Sequence, residues 1–270
     1  MTRLRIIIAG AGGRMGQANI RAAAAHPDIV LAGAFDRPGA ASIGKDAGLL
    51  AGIEALDVPV VESAETLLAG ADAIIDFTAP AASVTLARMA AQKGLVHVIG
   101  TTGCLEDEDA AIAEAGRNGA RIVKSGNFSP GVVTLAALVE KAARALPDYD
   151  VEVLEMHHNL KVDAPSGTAL MLGEAAAKGR DIDLRSHAVR VRDGHTGPRE
   201  AGSIGFATLR GGTVIGDHTI ILAGPAERIE LGHRAQDRTI FANGALRAAL
   251  WAAAQPAGLY SMADVLGLND

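Results

Sequence analysis

Up to about residue 125 the chain alternates short apolar runs with stretches whose apolar positions recur at helical spacing. Residues 4–9, 29–35, 73–75, 95–99 and 121–124 read as strands buried on both faces. Residues 15–25, 63–68, 81–93 and 107–117 read as the helices between them. Pro80 suits a helix first turn, Gly94 suits a left-handed stop, and Asn118-Gly119 suits the end of the helix before it. Such alternation predicts an α/β unit of Rossmann type, a parallel sheet with helices on both faces.

Past residue 128 the pattern changes. Residues 132–144 and 166–178 keep helical spacing, while 151–156 alternates as a half-exposed strand does. Residues 187–192, 204–209, 213–223 and 228–233 read as strands, and Gly211-Gly212 is a hairpin signal between two of them. This predicts a second domain with a mixed or antiparallel sheet of α+β character. An Ala-rich stretch over 239–254 reads as a last helix.

Composition narrows the partners. Of 270 residues 49% are hydrophobic and 21% charged, which suits two folded domains rather than a disordered chain. Aromatics are only 3% and the net charge is −6, so no nucleic-acid partner is expected. No apolar run approaches the roughly 18 residues of a membrane helix, so no membrane partner is expected. Residues 1–13 loosely imitate a leader, but the apolar stretch is short and runs into Gly12 and Gly13; it reads as a strand entering a glycine loop. The single cysteine, Cys104, excludes an intramolecular disulfide and a cysteine-based metal cluster, and the composition suits a cytoplasmic chain.

That loop is the first candidate site. Gly10, Ala11, Gly12, Gly13, Arg14 and Met15 follow a strand and open a helix. Glycines there let the backbone approach a pyrophosphate, which the helix N-terminus stabilises. Met15 occupies the third glycine slot of the usual spacing, and Gly10, Gly13 and Gly16 give a variant of it. Asp36, at the end of the second strand, stands where an acid bonds the ribose hydroxyls. Arg37 beside it is either a partner for a 2′-phosphate or a solvated loop arginine.

Gly100, Thr101 and Thr102 follow a later strand, as do Ser125, Gly126, Asn127 and Phe128. They are either ordinary turns or further contacts to a dinucleotide. The segment from Glu152 to Ala169 places His157, His158 and Lys161 between a strand and a helix start. Ser166 is a plausible N-cap, with Gly167 and Thr168 presenting backbone N–H groups. The segment is either a capped helix with surface histidines or a pocket for an anionic substrate that must be protonated. Adjacent histidines lack the spacing of a helical zinc pair, and no metal is expected. The other histidines, Cys104 and Lys124 have no partner legible in the sequence.

Together the stretches GAGGRMG, GTTG, SGNFSPGV, EMHHNLKVDAPSGTA and GLYSMADVLGL resemble those of the dihydrodipicolinate (4-hydroxy-tetrahydrodipicolinate) reductase family over nearly the whole chain. The resemblance implies a dinucleotide-binding domain over 1–128, a substrate-binding and oligomerisation domain over 129–238, and a helix and tail over 239–270 returning to the first domain. It implies NADH and/or NADPH as cofactor, a cyclic dicarboxylate substrate and a homotetramer. The glycine loop, Asp36, Arg37, Gly100–Thr102 and Ser125–Phe128 would hold the cofactor. His157 would be the proton donor and Lys161 the second catalytic residue, while His158, Gly167 and Thr168 would hold the substrate carboxylates. Pro130 departs from the aliphatic residue usual there. The implied reaction is reduction in lysine biosynthesis via diaminopimelate. Another two-domain NAD-dependent dehydrogenase of a small anion, or a non-enzymatic NAD(H) sensor, would share the first domain.

Overall fold

The computed structural model describes residues 3–269. Met1–Phe128 and Thr239–Asp270 form one compact unit, and Ser129–Arg238 forms another.

In chain order the first stretch holds β1 (Leu4–Ala9), α1 (Arg14–Ala25), β2 (Ile29–Phe35), α2 (Ala47–Leu50), β3 (Val60–Val61), β4 (Ala73–Asp76), α3 (Pro80–Lys93), β5 (Val96–Ile99), α4 (Glu106–Arg117) and β6 (Arg121–Lys124). Then come α5 (Pro130–Ala145), β7 (Asp150–His157), α6 (Gly167–Gly179), α7 (Leu184–His187), β8 (Ala188–Val189), β9 (Ile204–Arg210), β10 (Asp217–Ala223) and β11 (Arg228–Arg234). The chain closes with α8 (Thr239–Ala252), β12 (Gly258–Tyr260) and α9 (Met262–Leu266).

The first unit is a seven-stranded sheet in the order β12-β6-β5-β4-β1-β2-β3, parallel throughout. Ile6, Ile7, Ile8, Ile74, Ile75 and Ile122 are fully buried, as strands covered on both faces must be. The strand order reverses between β1 and β4, so a crevice opens outside their carboxyl ends. Two glycines set the helix packing there. A Cβ on Gly16 of α1 would lie 2.1 Å from the Gly10 carbonyl oxygen, and one on Gly244 of α8 would lie 1.7 Å from that of Phe128.

The second unit is a mixed sheet in the order β11-β10-β7-β9-β8. β7 runs parallel to β9 and antiparallel to β10. One face packs on α5 and α6 through Leu135, Val139, Val153, Leu172, Phe206 and Leu222. The opposite face presents Leu154, Met156, Ala207, Leu209 and Ile221, none of them buried.

Four readings of the pattern are corrected. Residues 63–68 are not a helix: turns lead to a 3₁₀ turn over Leu68–Gly70. The Ser63 hydroxyl accepts from the Glu65 N–H and Thr66 donates to the Ser63 carbonyl, local bonds that compete with a helix. Residues 187–192 give only the two-residue β8, because Asp183 caps α7 and draws His187 into it. The strand expected from residue 213 begins at Asp217. Gly211-Gly212 joins no hairpin, since β7 lies between β9 and β10. These glycines instead bond the end of β7: Gly211 donates to the His157 carbonyl, and Asn159 donates to that of Gly212. The pattern also missed α2, β3, β12 and α9, all of five residues or fewer.

Candidate active site

In the first unit the glycine loop leaves β1 with Gly10 at φ +67°, a left-handed conformation that favours glycine. Gly13 donates to the Gly10 carbonyl and becomes the N-cap of α1, with no side chain capping the helix and no acid in its first turn. The first-turn N–H groups therefore point outward from a terminus of positive dipole. Gly12 donates to Asp36 Oδ2 at 2.9 Å, and Ser42 Oγ donates to the same oxygen at 2.8 Å. A Cβ on Gly12 would meet that oxygen at 2.8 Å. Asp36 and exposed Arg37 border a cavity of about 600 Å³ with Gly10, Gly13, Glu62 and Met89 on its walls.

The two later loops meet in the same unit. Gly100 lies against the Phe77 ring, where a Cβ would come within 2.1 Å of Cε1. Phe77 and Phe128 have centroids 5.5 Å apart. A cavity of about 250 Å³ is lined by Met15, Phe77, Gly100, Gly126, Asn127, Phe128 and Phe241. Ser125 braces the loop, its hydroxyl donating to the Asn127 carbonyl at 2.6 Å. Thr102 is exposed, whereas Thr101 is buried, accepts from Thr78 N–H and has its hydroxyl oxygen 2.8 Å from Ser83 Oγ.

Behind Thr101 lies a polar cluster that the sequence did not announce. The buried Asp76 carboxylate accepts from Ser83 Oγ at 2.5 Å and Thr78 Oγ1 at 2.6 Å, and His97 Nε2 sits 3.2 Å away. Burial opposes the charge on Asp76, but His97, Ser83 and Thr78 together hold its carboxyl below the usual range. Lys124, also without a partner in the sequence reading, pairs with Asp109 at 2.9 Å.

In the second unit β7 ends at His157, which points to the buried face and is 9% exposed. Its Nδ1 lies 2.6 Å from Glu155 Oε2. Nε2 faces Gly216, where a Cβ would stand 3.0 Å away; a larger residue there would crowd that nitrogen. His158 Nε2 lies 3.4 Å from Arg238 Nη2. Lys161 sits in the loop between β7 and α6, its ammonium on both oxygens of Asp163 at 2.7 and 2.9 Å. That ammonium, first among the causes, lowers the Asp163 pKa. Ser166 caps α6 by accepting from Ala169 N–H. Gly167 and Thr168 form the first turn, and a Cβ on Gly167 would meet nothing within 4 Å.

Glu155, Arg210 and His218 were not singled out from the sequence. Arg210 is 55 residues from Glu155 in the chain yet binds both its oxygens, at 2.8 and 3.0 Å. His218 Nε2 lies 3.1 Å from Ser166 Oγ, and its ring meets His157 edge-on at 5.1 Å. Burial first, then the charge of His157, push His218 down to about 4, against partial support from Glu155. His218 is therefore neutral in the fold at neutral pH. Its folded pKa lies below the unfolded value, so its contribution to stability is complete above about 6.5 and lost as pH falls toward about 4. The loss should reach about 3 kcal/mol. Urea titrations over that range should show a flatter slope for His218→Gln than for the parent chain; equal slopes would contradict the shift.

Among the described residues no group of three or more His, Cys, Asp or Glu side chains is placed to hold a metal. Nor is any helix long and apolar enough to cross a membrane.

Comparison with known proteins decides what kind of site this is. Residues 4–128 match the family model "Dihydrodipicolinate reductase, N-terminus", and residues 131–266 match "Dihydrodipicolinate reductase, C-terminus". The chain belongs to the dihydrodipicolinate reductase family. It is 60% identical over 268 residues to the 4-hydroxy-tetrahydrodipicolinate reductase of Rhizobium rhizogenes, covering 98% of this chain and 97% of that one. It is 58% identical to the reductase of the same name from Rhodopseudomonas palustris, with both chains covered in full. A dipicolinate-bound dihydrodipicolinate reductase from Paenisporosarcina sp. TG-14 shares the fold at a TM-score of 0.78 and 24% identity, covering 96% of this chain and 98% of that one. The first unit suits the NAD(P)H that the family uses. Its helix start lacks an acid and a side-chain cap, and its loop comes so close to Asp36 and Ser42 that any side chain at Gly12 would push theirs aside.

Proposed function

We propose that His157 donates the proton and Lys161 stabilises the developing charge in the family's reaction, the NAD(P)H-dependent reduction of 4-hydroxy-tetrahydrodipicolinate to tetrahydrodipicolinate with loss of water. This is a step of lysine biosynthesis via diaminopimelate. The observation that carries the assignment is the Glu155 carboxylate, which bonds His157 Nδ1 with one oxygen and the Ser166 N–H at the start of α6 with the other. Proton donor and anion-binding helix end are thereby held on one support. When bound, reduced nicotinamide supplies a hydride to C4 of the conjugated cyclic imine left after loss of the 4-hydroxyl. Negative charge then develops toward the ring nitrogen and neighbouring carbon. His157, as the imidazolium formed when Nε2 takes up a proton, delivers that proton from Nε2, and the Lys161 ammonium offsets the charge. His158, Gly167 and Thr168 orient the substrate carboxylates at the positive end of α6.

Gly10 to Met15 hold the pyrophosphate, Asp36 and Arg37 the adenosine ribose side, and Gly100, Thr101, Thr102 and Ser125 to Phe128 the nicotinamide side. The assembly is a homotetramer in the cytoplasm. The uncovered apolar side chains of Leu154, Met156, Leu209 and Ile221 supply a face for another copy. Following NADH oxidation with freshly generated cyclic imine tests the activity. No oxidation with this substrate would overturn it, whether another small anion is turned over or the cofactor is bound without turnover.

Cofactor choice rests on two neighbours with opposite charge. Asp36 already takes bonds from Gly12, Ser42 and Arg37 N–H, which fixes its carboxylate toward the cavity wall. It accepts from a ribose and repels a 2′-phosphate, whereas the exposed Arg37 pairs with that phosphate. Dual use is expected, with NADH at least equal to NADPH; a tenfold preference needs only about 1.4 kcal/mol. Arg37→Ala should weaken NADPH use more than NADH use, and Asp36→Ala the reverse. The kcat/KM ratio for both cofactors in the three proteins decides it, and an unchanged ratio would remove this pair as the selector.

A further inference from the structure

Glu155 moves no proton to the substrate in the chemistry above, yet four hydrogen-bond contacts converge on its carboxylate. It is 1% exposed. Four donors reach it: Arg210 Nη1 at 2.8 Å, Arg210 Nη2 at 3.0 Å, the Ser166 N–H at 3.0 Å and His157 Nδ1 at 2.6 Å. A buried carboxylate is tolerated only when paired and hydrogen-bonded in this way. Burial works against its charge, but Arg210 first, then His157 and the Ser166 N–H, hold its pKa below the ordinary value. An ionised carboxylate only accepts hydrogen bonds. The proton in the His157 contact is therefore on Nδ1. In the neutral ring this leaves Nε2 with its lone pair, free to take up and pass on a proton.

Arg210 extends the support. Beyond its two bonds to Glu155, its Nη2 donates to the Asp163 carbonyl at 2.6 Å. Asp163 in turn holds the Lys161 ammonium. Strand β7, the Lys161 loop and the cap of α6 thus converge on one ion pair between β7 and β9. The two residues are diagonal neighbours on one face of the sheet, because β7 and β9 pair in parallel with Glu155 opposite Thr208 and His157 opposite Arg210.

We infer that Glu155, clamped by Arg210, is a positioning residue for this reaction: it fixes His157 as the Nδ1–H tautomer with Nε2 directed to the substrate, and ties that ring to the start of α6. The inference rests on the reading of His157 as proton donor. The nearest parallel in physical terms is the carboxylate that orients a general-base imidazole, where replacing the acid by its amide installs the wrong tautomer and slows turnover. In Glu155→Gln the amide NH₂ takes the place of the oxygen facing His157, because the other oxygen meets two groups that can only donate, Arg210 Nη2 and the Ser166 N–H, whereas the one facing His157 meets a single such group, Arg210 Nη1. An NH₂ can only donate to Nδ1, so the proton moves to Nε2.

The test combines ¹⁵N NMR of the histidine rings with steady-state kinetics on the whole protein. In the parent chain, at a pH where the ring is neutral, His157 should show a protonated Nδ1 and an unprotonated Nε2. Glu155→Gln should reverse that pattern and lower kcat by about 10²-fold, with substrate KM changed less than about threefold, since the α6 N-terminus that binds the carboxylates is retained. If the lone Arg210 charge prevents folding of that variant, the double change Glu155→Gln with Arg210→Gln removes both charges and should show the same reversal and the same fall in kcat. An Nε2–H tautomer in the parent chain overturns the inference. So does a folded variant of either kind with unchanged tautomer and kcat while His157→Gln is impaired. An unimpaired His157→Gln instead overturns the proton-donor reading itself.

Discussion

Replacing His157 by Gln should lower kcat by about 10²-fold or more, the scale of a lost general acid, with a smaller change in substrate KM. The ring is held by Glu155 through Nδ1 and left open at Nε2 by Gly216, so it is built to work through one nitrogen. Gln is of similar reach and can still donate a hydrogen bond, which preserves part of the substrate contact. It cannot release a proton near neutral pH, so the step in which the reduced ring is protonated loses its donor. Glu155 keeps Arg210 and Ser166 as partners, so the fold should survive. The measurement is kcat and KM for the cyclic imine across about pH 6–9. Near-normal kcat throughout would end the assignment.

Lys161→Met should also cost about 10²-fold or more in kcat, because in the proposed mechanism the ammonium offsets the electron density arriving on the substrate ring. The structure adds a detail to that expectation. Lys161 is bound by Asp163, whose side chain is 56% exposed, so the pair is a loop device and not a core one. Removing the cation leaves Asp163 in water, and the stability change should stay within about 1 kcal/mol, the scale of an exposed ion pair. Kinetics and a urea melt on the same variant separate the possibilities. Loss of folding would make Lys161 structural, and full activity would take it out of the mechanism.

Part of the architecture could be read from local pattern because its physics is local. Strands β1, β2 and β6 have the bounds their apolar runs suggested, since a parallel strand covered on both faces is apolar where it is buried, with the charged Arg5, Arg121 and Lys124 kept to the less buried positions near the strand ends. Pro80 opens α3 and Gly94 ends it at φ +64°, as their backbone preferences require. Short elements escaped. Val60–Val61 and Gly258–Tyr260 are too brief for a period to register and exist because a neighbouring strand offers them bonds. The Gly211-Gly212 signal misled for the opposite reason: those glycines meet the end of β7 rather than turn a hairpin.

The candidate site divides in the same way. Local pattern shows where chemistry could reside: a glycine loop ahead of Asp36, and two histidines and a lysine ahead of a capped helix. Residue type and short spacing suffice for these, because backbone freedom, capping and proton transfer depend on neighbours in the chain. The groups that hold those residues in place come from distant parts of the chain and are visible in the folded molecule alone. Arg210 reaches Glu155 across 55 residues, His218 reaches Ser166 across 52, and His97 reaches Asp76 across 21. No periodicity encodes such pairs. They arise from strand register, which is settled when buried faces pack together, and from the requirement that a charge taken out of water must find a partner there.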